Sequence, residues 1–197
     1  MHPGSIATKV KVYINLISLH LYKPTTKHRR ESSSTAKWSP PPVGTVMVNS
    51  DAAIFAASNS MGFGIVIRDH NGSCLAACGE HVDGVTSPEM AEVLALRSAL
   101  SFAVEEGFGR LLMASDCLSV IQRVSSSEVD RSALGAVTED IKRLACLAPS
   151  CSFIHVFRGA NALAHYLARA CEYSGVVSRG VAPDCIQEQI CKDIMVI

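Results

Sequence analysis

The stretch Thr45-Val46-Met47-Val48-Asn49-Ser50-Asp51-Ala52-Ala53 constrains the fold more than any other part of the chain. Val46 and Val48 point one way and Met47, Asn49 and Asp51 the other, the alternation of a half-buried strand. A carboxylate on the side of the inner residues is costly unless something pairs with it, and a metal ion is a fitting partner. Residues 62–69 follow as an apolar run with small glycines. Asp69-His70-Asn71-Gly72 is a tight-turn signal, and residues 73–78 lead back as a third strand. The expectation is three antiparallel strands with an acid on the first.

At 197 residues the chain holds one ordinary domain with extensions. Its zero net charge hides an asymmetry. Residues 1–37 carry seven of the 18 basic residues and one acid, which leaves 11 basic against 17 acidic residues in the remainder. An acidic body is a poor electrostatic match for a polyphosphate and argues against tight nonspecific nucleic-acid binding by the domain alone. The eight cysteines form no C-x-x-C pair, so zinc-ligand spacing is lacking and free thiols in a reducing compartment are expected.

Residues 1–37 read as a disordered or weakly ordered basic N-terminal extension. The apolar segment 12–22 is interrupted by Asn15, Ser18 and His20 and is too short to span a bilayer. Its basic, serine-containing composition leaves an organelle transit peptide open beside a nuclear or cytoplasmic location. The folded domain is expected over 38–175, and 176–197 reads as a C-terminal tail without periodicity. Trp38-Ser39-Pro40-Pro41-Pro42 is a stiff lead-in with the tryptophan on the domain rim. Ser87-Pro88-Glu89 starts a helix that Gly107 stops. Val93, Leu96, Leu100 and Ala103 form one stripe of it; Glu92, Ala95 and Ala99 form a second, whose small residues let the helix lie close to a sheet and carry Glu92 inward. A fourth strand over 110–116 ends on Asp116, helices follow over 117–124 and 132–147, a fifth strand spans 151–158, and Asn161 caps a last helix. The order β-β-β-α-β-α-α-β-α implies a mixed α/β sheet with helices on its faces.

Asp51, Glu92 and Asp116 therefore fall at two strand ends and on one sheet-facing helix stripe. Parallel crossover geometry brings the ends of the first and fourth strands together with the helix above them. Clustered carboxylates repel one another, and a divalent cation relieves the repulsion. Oxygen-only ligands select Mg2+ or Mn2+. Each acid also has a plainer reading: a strand-end cap for Asp51, a solvated helix residue for Glu92, a helix N-cap for Asp116. Asp69 and Glu89 are turn and first-turn acids, and Cys117 is a small side chain without a base partner.

The chain resembles the ribonuclease H-like, or reverse-transcriptase-like, domain that is abundant in plant genomes as a remnant of retrotransposons. The resemblance covers about residues 38–173. It rests on Trp38-x-Pro-Pro, Asn49-x-Asp51-Ala52-Ala53, Gly64-x-Val66-x-Arg68-Asp69-x-x-Gly72, Ala91-Glu92-x-x-Ala95-Leu96, Ser115-Asp116-Cys117 and Arg158-x-x-Asn161-x-x-Ala164-His165-x-Leu167-Ala168. It implies a five-stranded sheet of order 3-2-1-4-5 with helices on both faces. It also implies a metal-dependent endonuclease that cleaves the RNA strand of RNA–DNA hybrids, with Asp51, Glu92 and Asp116 on three of four metal-binding acids. The fourth falls on His165, a poor ligand for Mg2+ and a better one for Mn2+; the other reading of His165 is an ordinary helix histidine. The histidine-bearing loop of classical members is missing before the last helix. Asn49, Arg158 and Asn161 are the candidate substrate-binding residues, Arg158 either on phosphate or in a salt bridge and Asn161 otherwise a cap. A hybrid or other nucleic acid is the expected partner, with no membrane and a monomeric chain. The alternative is a catalytically weak or inactive binding module of the same fold.

Overall fold

The computed structural model describes residues 36–85 and 87–194. All of them fall in the unit spanning residues 32–197. The expected N-terminal extension lies outside the described residues except for Ala36 and Lys37. Ala36 packs its carbonyl against Gly159, where an added Cβ would collide with it.

The strands are β1 (Val46–Phe55), β2 (Ser60–Arg68), β3 (Cys74–Asp83), β4 (Arg110–Ser115), β5 (Ser150–His155) and β6 (Val176–Arg179); the helices are α1 (Pro88–Glu105), α2 (Leu118–Ser125), α3 (Ala133–Ala145), α4 (Ala162–Ala170) and α5 (Asp184–Ile194), with a 3-10 turn at Arg158–Asn161. Among the described residues the sheet order is β5-β4-β1-β2-β3-β6. The expected order is thus present with a sixth strand added. β1, β2 and β3 are antiparallel neighbours, whereas β1, β4 and β5 run parallel. Residues 176–197, read as a tail, supply β6 on the β3 edge and α5. Four residues, Val-Val-Ser-Arg, are too few to show a period of two. α5 does carry a signal in Ile186 and Ile190, one turn apart and both buried.

The local reasons for these elements are visible. The Asp69 carboxylate accepts from the N–H groups of Asn71 and Ser73, and Gly72 takes φ +81°, which together close the β2–β3 turn. Ser87 accepts from the Met90 N–H to start α1, and Gly107 at φ +81° ends it.

The sheet separates two unlike faces. Val48, Met61, Phe63, Ile65, Ile67, Ala76 and Met113 meet Val93, Leu96 and Leu100 of α1 in one large apolar cluster. On the opposite face Val66 and Ala77 meet Leu163 and Leu167 of α4 and the two α5 isoleucines. β1 is consequently buried on both faces from Met47 to Asp51, not half-buried. Trp38 is not a rim residue. It is buried with Met47 and Ala114, donates to the Met47 sulfur at 3.1 Å and carries the Arg68 guanidinium 3.7 Å from its ring. No helix among the described residues is long and apolar enough to cross a membrane.

Candidate active site

The parallel strands set the site. Val46 pairs with Leu111 and Asn49 with Ala114, an offset that, continued past the end of the ladder, puts Asp51 opposite Asp116. Ser115 pairs with His155, so Asp51 lies in the middle of β1 and not at its end as expected, beside Asp116 just past the end of β4 and His155 at the end of β5. Glu92 enters from α1, next to the buried Ala91, Val93 and Ala95, and accepts from the backbone N–H of Ala52. The three predicted acids are therefore neighbours, and Asp51 and Asp116 lie within hydrogen-bonding reach of each other.

The opposite wall is α4. It lies against β2 because Gly62 and Gly64 have no side chain; a Cβ on Gly64 would strike the backbone of Ala164 and Ala168. Gly64 is the register partner of Asp51, so the same vacancy brings His165 down onto Asp51, Nδ1 to Oδ2 at 2.8 Å. Arg158 lies 3.0 Å from His165 Nε2. The same guanidinium nitrogen lies 3.2 Å from Nδ1, so it approaches both ring nitrogens, and Nδ1 is the one that faces Asp51.

Asn161 stands at the N-cap position of α4 but makes no capping bond. Its side-chain NH2 donates to the Ser50 carbonyl at 2.9 Å and to Asp116 Oδ1 at 3.0 Å, and its oxygen accepts from Asn49 at 3.0 Å. Both asparagines are buried. They brace β1 and Asp116 from inside instead of offering a surface to a ligand or a cap to the helix. Asp116 does not cap α2 either: the N-cap is Cys117, whose N–H goes to Ser115 Oγ. Of the two readings of Arg158, the structure holds the salt bridge, 3.8 Å from Asp116 Oδ2. His155 was not singled out from sequence; its Nε2 lies 3.2 Å from the Asp116 carbonyl oxygen. A histidine at the end of a strand parallel to two acid-bearing ones was the available signal.

The electrostatics follow from burial. Asp51 is pushed up to about 9, first by desolvation and then by Glu92 and Asp116. Glu92 is pushed up to about 7 by desolvation and the Asp116 charge. His165 is lowered by desolvation and by Arg158. Asp51 and His165 both favour their neutral forms, so their contact is a neutral hydrogen bond rather than an ion pair.

Among the described residues no three His, Cys, Asp or Glu side chains form a preformed metal cage. The oxygens of Asp51 and Asp116 are engaged with His165, Asn161 and Arg158. Glu92 Oε2 is different: it is buried and has no partner. An orphaned buried oxygen beside two further carboxyls fits a divalent cation chemically. A concavity of about 320 Å3 between α2 and α3 lies away from these acids, and its cations are already paired, Arg123 with Glu89 and Asp130 and Lys142 with Glu139.

No curated protein matches the sequence. Solved structures do. RNase H1 from Halobacterium salinarum superposes with TM-score 0.59 at 24% identity, over 64% of this chain and 95% of that one. The N-terminal RNase H domain of a Mycobacterium tuberculosis protein gives 0.58 at 21%, over 65% and 93%. LC11-RNase H1, in complex with an RNA/DNA hybrid, gives 0.57 at 21%, over 64% and 96%. At such identities the shared property is the fold. The model of the reverse transcriptase-like family matches residues 49–171, from Asn49 on β1 to the end of α4 and through every acid described above, and the chain belongs to that family.

Proposed function

We propose that this domain is a divalent-metal-dependent endonuclease acting on the RNA strand of RNA–DNA hybrids, from the retrotransposon-related plant branch that its motifs resemble. The observation that carries the reading is the convergence of Asp51, Glu92 and Asp116, two of them held far from their ordinary protonation range by burial and mutual repulsion. A bound cation would favour the ionised forms of these carboxyls and relieve their mutual repulsion. Asp51, Glu92 and Asp116, with His165 as the fourth and softer donor, would hold Mg2+ or Mn2+. Such an ion supplies charge stabilisation at a phosphodiester and lowers the pKa of a water.

The chain's own residues prepare that chemistry. Asn161 and Asn49 fix the Asp116 and β1 backbone positions, the Gly64 vacancy fixes the distance of His165 from Asp51, and Arg158 packs its guanidinium against the imidazole. His165 in place of a carboxylate removes one negative charge and one hard oxygen, so activity should favour Mn2+ over Mg2+.

The test is cleavage of an end-labelled RNA–DNA hybrid by wild type, Asp51→Asn and His165→Asp with each metal. Mn2+-dependent cleavage by wild type above the Asp51→Asn blank, with His165→Asp gaining in Mg2+, is the expected pattern. Equal signals from wild type and the blank in both metals, with His165→Asp equally silent, would favour a nonenzymatic binding module of the same fold.

A further inference from the structure

Arg158 stands where the acid cluster opens to solvent. One guanidinium nitrogen lies 3.8 Å from Asp116 Oδ2 and another lies 3.0 Å from His165 Nε2, while His165 Nδ1 lies 2.8 Å from Asp51 Oδ2. The three acids thus already have a monocation, delivered from the 3-10 turn seven residues before His165. Resting on the metal-site reading above, we propose that Arg158 is a built-in competitor of the divalent cation and sets the affinity with which the acids take it.

Three features argue for this role. The Asp116 oxygens are divided, Oδ1 to Asn161 and Oδ2 toward Arg158, so the oxygen left for an ion is the one facing the guanidinium. An arginine does not deprotonate at working pH, so its charge opposes the ion throughout. Its side chain is 64% exposed, whereas Asp116 and Asp51 are 12% and 2% exposed, so it can swing away without opening the core. Once displaced, the guanidinium remains tethered beside the acids, where its planar donors suit a phosphate of a nucleic-acid strand. Arg158 is a positioning residue in this scheme, exchanged between the acids and the incoming polyanion.

The experiment is calorimetric titration of the full chain with MnCl2 at fixed pH and salt. Wild type is compared with Arg158→Met, Arg158→Gln, Arg158→Lys and Asp51→Asn, each first checked for cooperative thermal unfolding. Arg158→Met and Arg158→Gln should bind Mn2+ more tightly, by about fivefold, the gain from removing one partly solvated charge contact. Arg158→Lys keeps the charge and should stay within about twofold of wild type. Neutral variants that bind no tighter than wild type, or a lysine variant as tight as the methionine one, would overturn the competition while leaving the acid site standing. Binding by Asp51→Asn equal to wild type would instead overturn the acid-site reading, and the competition with it.

Discussion

The two faces of the central strands are built on opposite plans. Toward α1, alternate residues of β1, β2 and β3 are large and apolar, with Val48, Phe63, Ile65, Ile67 and Cys78 among them. Away from α1, the intervening positions include Met47 and Val66 but are otherwise small or polar where α4 crosses: Asn49, Asp51, Gly62, Gly64, Ala77 and Gly79. The first face excludes water from a thick core. The second brings a helix so near the sheet that one side chain, His165, reaches the Asp51 carboxyl in the middle of β1. A strand can serve both purposes because its period of two keeps the sets apart. The larger apolar core lies on one side, and the buried carboxyl of Asp51 on the other.

The largest expected effect comes from relieving the strain on the α4 side. In the metal-free protein Asp51 moves from 3.8 to about 9 and Glu92 from 4.5 to about 7 on folding. Between the unfolded and folded values the native state binds more protons than the unfolded one, so stability present near pH 4 is lost as pH rises, through about 7 for Glu92 and about 9 for Asp51, and is flat above. His165, lowered from 6.5, acts in the opposite direction below that value. Asp51→Asn should therefore stabilise the metal-free protein at pH 7, by on the order of 4 kcal/mol. Urea unfolding in a chelator across pH 4–9 checks it; stability that rises with pH would contradict the assignment.

Leu96→Ala breaks the other face. Leu96 is fully buried under α1, and the cavity should cost about 3 kcal/mol, visible as a lower urea midpoint at unchanged slope. The Asp51–His165 contact should survive, because Leu96 packs in the cluster on the opposite face from α4; an altered His165 ring signal by NMR would show the faces are coupled. Gly64→Ala sharpens the contrast from the α4 side. The added methyl meets the Ala164 and Ala168 backbone, so α4 must lift at a cost of about 2 kcal/mol, and the His165 imidazole proton should shift as the contact with Asp51 is lost. A variant as stable as wild type with that proton unchanged would mean the close approach is not needed.

What the sequence disclosed follows the same division. Strand alternation, the Ser87 cap, the Gly107 stop and the small-residue stripe beside Glu92 are local patterns, and they located β1, α1 and all three acids. The added β6 strand was too short to show a period. The true partners of Asn161 and Arg158 were hidden for a different reason. Asn161 reaches Ser50, 111 residues away, and Asp116, 45 away, and no local rule connects such positions. Reading Asn161 as a helix cap was the local answer to a residue whose bonds are long-range. Arg158 offered two readings because an exposed cation beside an acid cluster suits either, and only the fold placed its guanidinium on Asp116 and His165.

The central claim is that Asp51, Glu92 and Asp116 are assembled to hold a divalent cation. Paramagnetic broadening of the protein's NMR signals by substoichiometric Mn2+ tests it most directly, since the loss of signal maps the ion's position. The account predicts broadening centred on Asp51, Ala52, Glu92, Asp116 and the Asn161 side-chain amide, abolished by Asp51→Asn. Broadening spread over exposed acids such as Glu128 and Glu139, and unchanged in Asp51→Asn, would contradict it.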